Sequence, residues 1–147
     1  MKAYWVSKRL AFGSAITTQR HVEQLQALGV THVINLRHGD KHNKLVRQFK
    51  SLWLPFRDDE KARPMWFYRR AYRFRSRALD DPKAKVFIMC HHGKCRSPSL
   101  AYFFVRASAY EPAEAIALVR KARKRARIVP AYRYSCEKFL WRNDIGQ

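Results

Sequence analysis

The sequence predicts an α/β fold in a single domain over residues 1–147, with a central, mainly parallel sheet flanked by helices. Three observations predict it. The chain's 147 residues are one domain's worth, and 47% are hydrophobic, enough for a packed core. Short apolar runs alternate with stretches of helical period. Val86-Phe87-Ile88-Met89 is apolar at every position, as a strand buried on both faces of a parallel sheet requires.

The elements follow in order. Tyr4-Trp5-Val6 and Leu10-Ala11-Phe12-Gly13 read as two short strands around a basic turn. From Thr18 to Leu28 the apolar positions Val22, Leu25 and Leu28 recur at helical spacing, with Thr17 or Thr18 as N-cap and Gly29 as the stop. The β-branched run Val30 to Leu36 reads as a buried strand. Residues 45 to 50 read as a short helix, and Leu52-Trp53-Leu54 as a strand ending at Pro55. A charged loop, Arg57 to Lys61, is closed by Pro64. Met65 to Leu79 then reads as a helix, its aromatics from Trp66 to Phe74 facing the core, and Asp81-Pro82 breaks it. Beyond Val86–Met89, helices are expected over Arg96–Ala109, from Pro112 to about Arg123, and over Ala131–Trp141.

Charge is the most unusual feature. Lys and Arg number 31 against 11 Asp and Glu, a net +20. Such a field attracts polyanions, whether nucleic acid, anionic lipid or phosphorylated ligands, without choosing among them. Basic residues concentrate between Arg63 and Arg77 and again between Arg120 and Arg127. No apolar run reaches the roughly 20 residues of a bilayer span, and the N-terminus lacks the apolar stretch of a secretory signal. The expectation is a soluble, cytoplasmic protein without a transmembrane segment. Three cysteines, an odd number, argue against a disulfide framework and leave thiol chemistry open.

One strand-to-helix junction concentrates chemistry: Met89-Cys90-His91-His92-Gly93-Lys94-Cys95-Arg96-Ser97-Pro98. A loop entering a helix N-terminus offers free N–H groups and the positive end of the macrodipole, a cradle for a tetrahedral dianion. Gly93 lets the loop turn where a side chain would resist. Arg96 supplies a planar fork of donors for two phosphate oxygens. The same positive field favours Cys90 as a thiolate, placed beneath a bound phosphate for in-line attack. Ser97 is positioned to hydrogen-bond that sulfur.

The string Cys90-x5-Arg96-Ser97, with Gly93 three residues after the cysteine, resembles the signature loop of the cysteine-dependent protein tyrosine phosphatases, and the order of parts resembles their small dual-specificity branch. Leu28-Gly29-Val30-Thr31-His32-Val33-Ile34-Asn35-Leu36 looks like that branch's helix-to-strand segment. Leu54-Pro55-Phe56-Arg57-Asp58 looks like its general-acid loop, and Ile128-Val129-Pro130 with the aromatic-rich helix after it like its C-terminal element. The resemblance implies Cys90 as nucleophile of a phosphocysteine intermediate. It implies that Arg96 and the amides of His91, His92, Gly93, Lys94, Cys95 and Arg96 bind the phosphoryl group, with Ser97 assisting the second step. Asp58 is implied as general acid and then base, with Asp59 its rival. No metal or cofactor is implied.

Two departures stand out. Met89 occupies the position where the family usually carries His. Cys95 sits just before the arginine, a detail that looks more like the loop of the low-molecular-weight tyrosine phosphatases, and it suggests a reversible Cys90–Cys95 disulfide under oxidation. Cys136 reads as packing, and His21, His32, His38 and His42 as structural or surface residues. The leading expectation is a phosphatase acting on phosphotyrosine, and on phosphoserine or phosphothreonine if its pocket is shallow, of phosphorylated proteins. Alternatives are an RNA 5′-triphosphatase or phosphoinositide phosphatase using the same site, or a non-catalytic module that binds phosphate or nucleic acid.

Overall fold

The all-apolar run at residues 86–89 becomes β5 (Val86–Met89), the central strand of a five-stranded sheet in a computed structural model that describes residues 1–147. The strands lie in the order β1-β2-β5-β3-β4, where β1 is Ala3–Ser7, β2 Leu10–Gly13, β3 His32–Asn35 and β4 Lys50–Trp53. The β1–β2 hairpin is antiparallel; the other three pairings are parallel. In register, Met89 lies between Gly13 on one side and Asn35 on the other. The carboxyl ends of β2, β5 and β3 therefore stop together, and the chain leaves β5 as Cys90 at the edge where ligands bind open α/β sheets.

Alternate residues of β5 face opposite layers. Val86 and Ile88 join Phe12, Ile34 and Leu36 in the larger core, against α2 (Met65–Ala78), α3 (Arg96–Ala107), α4 (Pro112–Ala122) and α5 (Pro130–Arg142). Phe87 and Met89 join Ala11 and Val33 in a smaller core, against Val22 and Leu25 of α1 (Gln19–Ala27). Thr18 caps α1, its hydroxyl accepting from the His21 N–H, and Gly29 turns the chain out of that helix with φ +86°.

Several elements differ from their expected extents. The stretch 45–50 makes a single 3-10 turn, Val46–Gln48, because Lys50 and Ser51 are drawn into the β3–β4 ladder. Their exposure is tolerated on an edge strand. β3 is shorter than Val30–Leu36, although Leu36 still donates to the Met89 carbonyl. α3 stops at Ala107: the Ser108 hydroxyl bonds back to the Phe104 carbonyl, and Ala109 turns left-handed at φ +72°. Pro130 begins α5, where a missing N–H costs nothing. Trp66 corrects the reading of α2's aromatics: Phe67 and Tyr68 are buried, but Trp66 is 47% exposed, since it projects with Arg69, Arg70 and Arg73 from the opposite side of the helix. No helix is long and apolar enough to cross a membrane.

Candidate active site

The loop after β5 closes around a sulfur atom. The Cys90 N–H donates to the Gly13 carbonyl at 3.2 Å, and the Ala15 N–H donates to the His91 carbonyl at 3.3 Å, so β2 fixes how the loop starts. Gly93 then adopts φ +69°, which aims its N–H at the Cys90 Sγ, 3.1 Å away. Ser97, in the first turn of α3, brings its Oγ to 3.3 Å from the same sulfur. The Ser97 hydroxyl also reaches the Gly13 carbonyl at 3.3 Å. Cys90 is 2% exposed, at the base of a turn that leads into the N-terminus of α3.

Arg96 crosses from this loop to the one after β4. Its Nη1 donates to the Phe56 carbonyl at 2.8 Å. Between the two loops opens a cavity of about 390 Å³ lined by Arg37, His38, Arg57, Asp58, His91 and Arg96, with no apolar side chain among them. No group of three or more His, Cys, Asp or Glu side chains is placed to hold a metal ion.

The two neighbouring aspartates are distinguished by their partners. Asp59 accepts from the Lys61 N–H at 3.0 Å and from Arg63 Nη2 at 2.6 Å. The Lys61 bond, with Arg63 behind it, holds the Asp59 carboxyl below the usual carboxylate range. Asp58 lines the cavity beside Arg96. The loop carrying them is clamped from α5. The Glu60 N–H donates to the Tyr132 Oη at 2.9 Å, and the Arg63 N–H donates to the Ser135 Oγ at 3.1 Å. The Tyr132 ring packs edge-on against Phe56 with centroids 4.4 Å apart.

The outer side of the turn after β5 is held by the second basic segment. Arg123 Nη1 donates to the carbonyls of His92 (3.0 Å) and Gly93 (2.8 Å) while its guanidinium lies 4.6 Å over the Tyr4 ring. The Arg127 N–H donates to the Lys94 carbonyl at 2.7 Å, and its side chain pairs with Glu60. These bonds tie the carbonyls of His92, Gly93 and Lys94 to the second basic segment.

Among the residues singled out from sequence, Cys90, Gly93 and Ser97 meet around the sulfur, and Asp58, His91 and Arg96 meet at the cavity. His92 and Lys94 are exposed and their side chains do not line it; His92 packs on His91 with ring centroids 4.1 Å apart. The charged neighbours His92, Arg37 and Arg96, with some desolvation, lower the His91 pKa, His92 contributing most. Cys95 is the N-cap residue of α3, and burial, followed by the Asp58 carboxylate, pushes its thiol up. Cys136 is buried and its thiol is raised well above the usual value by burial. All three cysteines are free. Met89 is wholly buried on the α1 side of the sheet. Sequence reasoning missed Gly13, Arg37, Arg57, Arg123 and Tyr132, and took His38 for a bystander. The available signal was that Arg37 and His38 follow the end of β3, the strand beside β5, just as Cys90 follows β5.

Residues 10–139 match the family model described as "Dual specificity phosphatase, catalytic domain". Solved structures share the fold at low identity. A point variant of human DUSP28 aligns with a TM-score of 0.79 at 20% identity, covering 97% of this chain and 96% of that one. The human tyrosine phosphatase-like serine/threonine/tyrosine-interacting protein aligns at 0.81 and 17%, covering 96% of this chain and 97% of that one. PTPMT1, solved in complex with PI(5)P, aligns at 0.81 and 15%, covering 95% of each chain.

Proposed function

The chain belongs to the dual specificity phosphatase catalytic-domain family, and from that membership we propose that it hydrolyses phosphate monoesters through a cysteinyl-phosphate intermediate formed on Cys90. The observation that carries the reading is the Gly93 N–H aimed at the Cys90 Sγ at 3.1 Å, in a loop whose Arg96 shares one cavity with Asp58. A module that only bound phosphate would have no use for a buried sulfur presented in this way.

In the first step Sγ attacks phosphorus in line, the P–S bond forms and the P–O bond to the leaving group breaks. Asp58 gives its proton to the departing oxygen. The inward N–H groups of residues 91–96 and the Arg96 guanidinium hold the equatorial oxygens as charge develops on them. The Phe56 carbonyl accepts from one Arg96 nitrogen, which restricts the side chain before the anion arrives. In the second step water attacks phosphorus, Asp58 takes its proton, and the P–S bond breaks to return the thiolate. The Ser97 hydroxyl, 3.3 Å from the sulfur, stabilises that departing charge by turning its proton from the Gly13 carbonyl to Sγ. Asp59 is a poor candidate for this work, because Lys61 and Arg63 already occupy it.

Turnover of a generic aryl phosphate tests the assignment. Wild-type protein releases phosphate, and Cys90→Ser does not while still binding tungstate or vanadate. Retained turnover in Cys90→Ser excludes the cysteinyl-phosphate route.

A further inference from the structure

We propose that the cavity carries a second phosphate site beside the one over Cys90, and that the substrate is a polyol ester with neighbouring phosphates, of the inositol polyphosphate type. The proposal rests on the phosphatase reading and names its substrate class.

The scissile phosphate accounts for Arg96 and the loop amides, yet two more guanidiniums enter the same cavity. Arg57 has no carboxylate partner. Its Nε donates to His38 Nε2 at 3.3 Å, leaving both terminal nitrogens free. Arg37 has only Asp40, at 3.6 Å, beyond hydrogen-bonding distance. Guanidiniums brought together without anions repel one another, and a bound anion between them removes that repulsion. The planar fork of each matches two oxygens of a phosphate.

The lining argues equally against an aryl ester. A phenyl ring gains from leaving water when apolar walls receive it. Here it would meet guanidinium, imidazole and carboxylate side chains and no apolar one. A hydroxyl-rich ring keeps its hydrogen bonds in such surroundings. Asp58 separates two polyanionic candidates. An anhydride such as an RNA 5′-triphosphate expels a phosphate anion that leaves without a proton, whereas a polyol oxygen leaves only if protonated. A carboxyl placed at the reacting centre suits the alcohol.

The test compares kcat/KM, at one ionic strength, for a soluble inositol with two neighbouring phosphates, the matching monophosphate, a phosphotyrosine peptide and an RNA 5′-triphosphate. The bisphosphate is expected to exceed the monophosphate by at least about tenfold. That ratio should collapse toward one in Arg57→Ala and Arg37→Ala, and persist in Arg69→Ala and Arg73→Ala, which remove the same charge from the exposed face of α2. A bisphosphate-to-monophosphate ratio near one in wild type, a ratio unmoved by both cavity variants, or a higher rate on the phosphopeptide or the RNA overturns the proposal. Vesicles of neutral lipid bearing the same bisphosphate headgroup distinguish the sources, and a preference for either the vesicle or the soluble form supports the site. Calorimetric titration of Cys90→Ser with the bisphosphate and monophosphate keeps the two readings separable. If no phosphate ester is turned over, the phosphatase reading fails, and this titration alone decides whether the second site exists.

Discussion

Gly93 rests directly on Gly13: a Cβ on Gly93 would lie 2.7 Å from the Gly13 carbonyl carbon, and Gly93 itself sits at φ +69°. The loop that wraps Cys90 thus lies flush against the end of β2, and no side chain fits between them.

Gly93→Ala is therefore expected to rotate the peptide whose N–H reaches Cys90 Sγ. The left-handed backbone and the clash together cost about 2 kcal/mol. The variant folds, as circular dichroism will register, but loses about 100-fold or more in kcat/KM on an aryl phosphate. Near-normal kcat/KM with a lowered melting temperature would place the glycine in folding alone.

Asp58 and Asp59 are expected to separate cleanly. Asp58→Asn lowers kcat by about 100-fold on an alkyl phosphate, and by much less on an aryl phosphate with a good leaving group. Asp59→Asn keeps kcat but changes the pH dependence of stability. The folded Asp59 carboxyl is held below its unfolded value by the Lys61 N–H and then Arg63. Its contribution is thus complete above the unfolded value and is lost as pH falls through the depressed folded one. Denaturant midpoints of wild type and Asp59→Asn, apart at neutral pH, should converge at acidic pH.

Tyr132 is expected to act on the reaction through position. Its hydroxyl holds the Glu60 N–H two residues beyond Asp58, and Tyr132→Phe releases that tie. Expected is a fall in kcat of about tenfold with KM nearly constant on an alkyl phosphate, and a much smaller fall on an aryl phosphate whose leaving group needs no proton. A structural role alone would shift the melting temperature and lower both rates alike.

Arg123 fixes two loop carbonyls from outside. Arg123→Ala is expected to weaken inhibition by inorganic phosphate by about tenfold, because freed carbonyls can turn toward the anion. An inhibition constant unchanged within error would reduce Arg123 to a surface charge packed on Tyr4.

The site was legible in the sequence to the extent that it is local. Cys90, Gly93, Arg96 and Ser97 lie within one strand-to-helix turn, so their spacing encodes their geometry, and the apolar run before them identifies the strand that presents them. Asp58 was recognisable as a candidate but not separable from Asp59, because only the Lys61 and Arg63 contacts show which carboxyl is occupied. The basic segment 120–127 was visible as charge, yet its most specific contribution is the pair of bonds from Arg123 to the loop after β5.

Periodicity, apolar runs and helix-capping residues determined the element types, since each depends on neighbours in the chain. Which distant residues share a cavity depended on the register of four parallel strands. Aligning Gly13, Met89, Asn35 and Trp53 brings the starts of four loops to one edge, and so places Arg37, His38 and Arg57 beside Arg96. That alignment arises from packing two cores on opposite faces of one sheet, an interaction between segments far apart in sequence that no local pattern encodes.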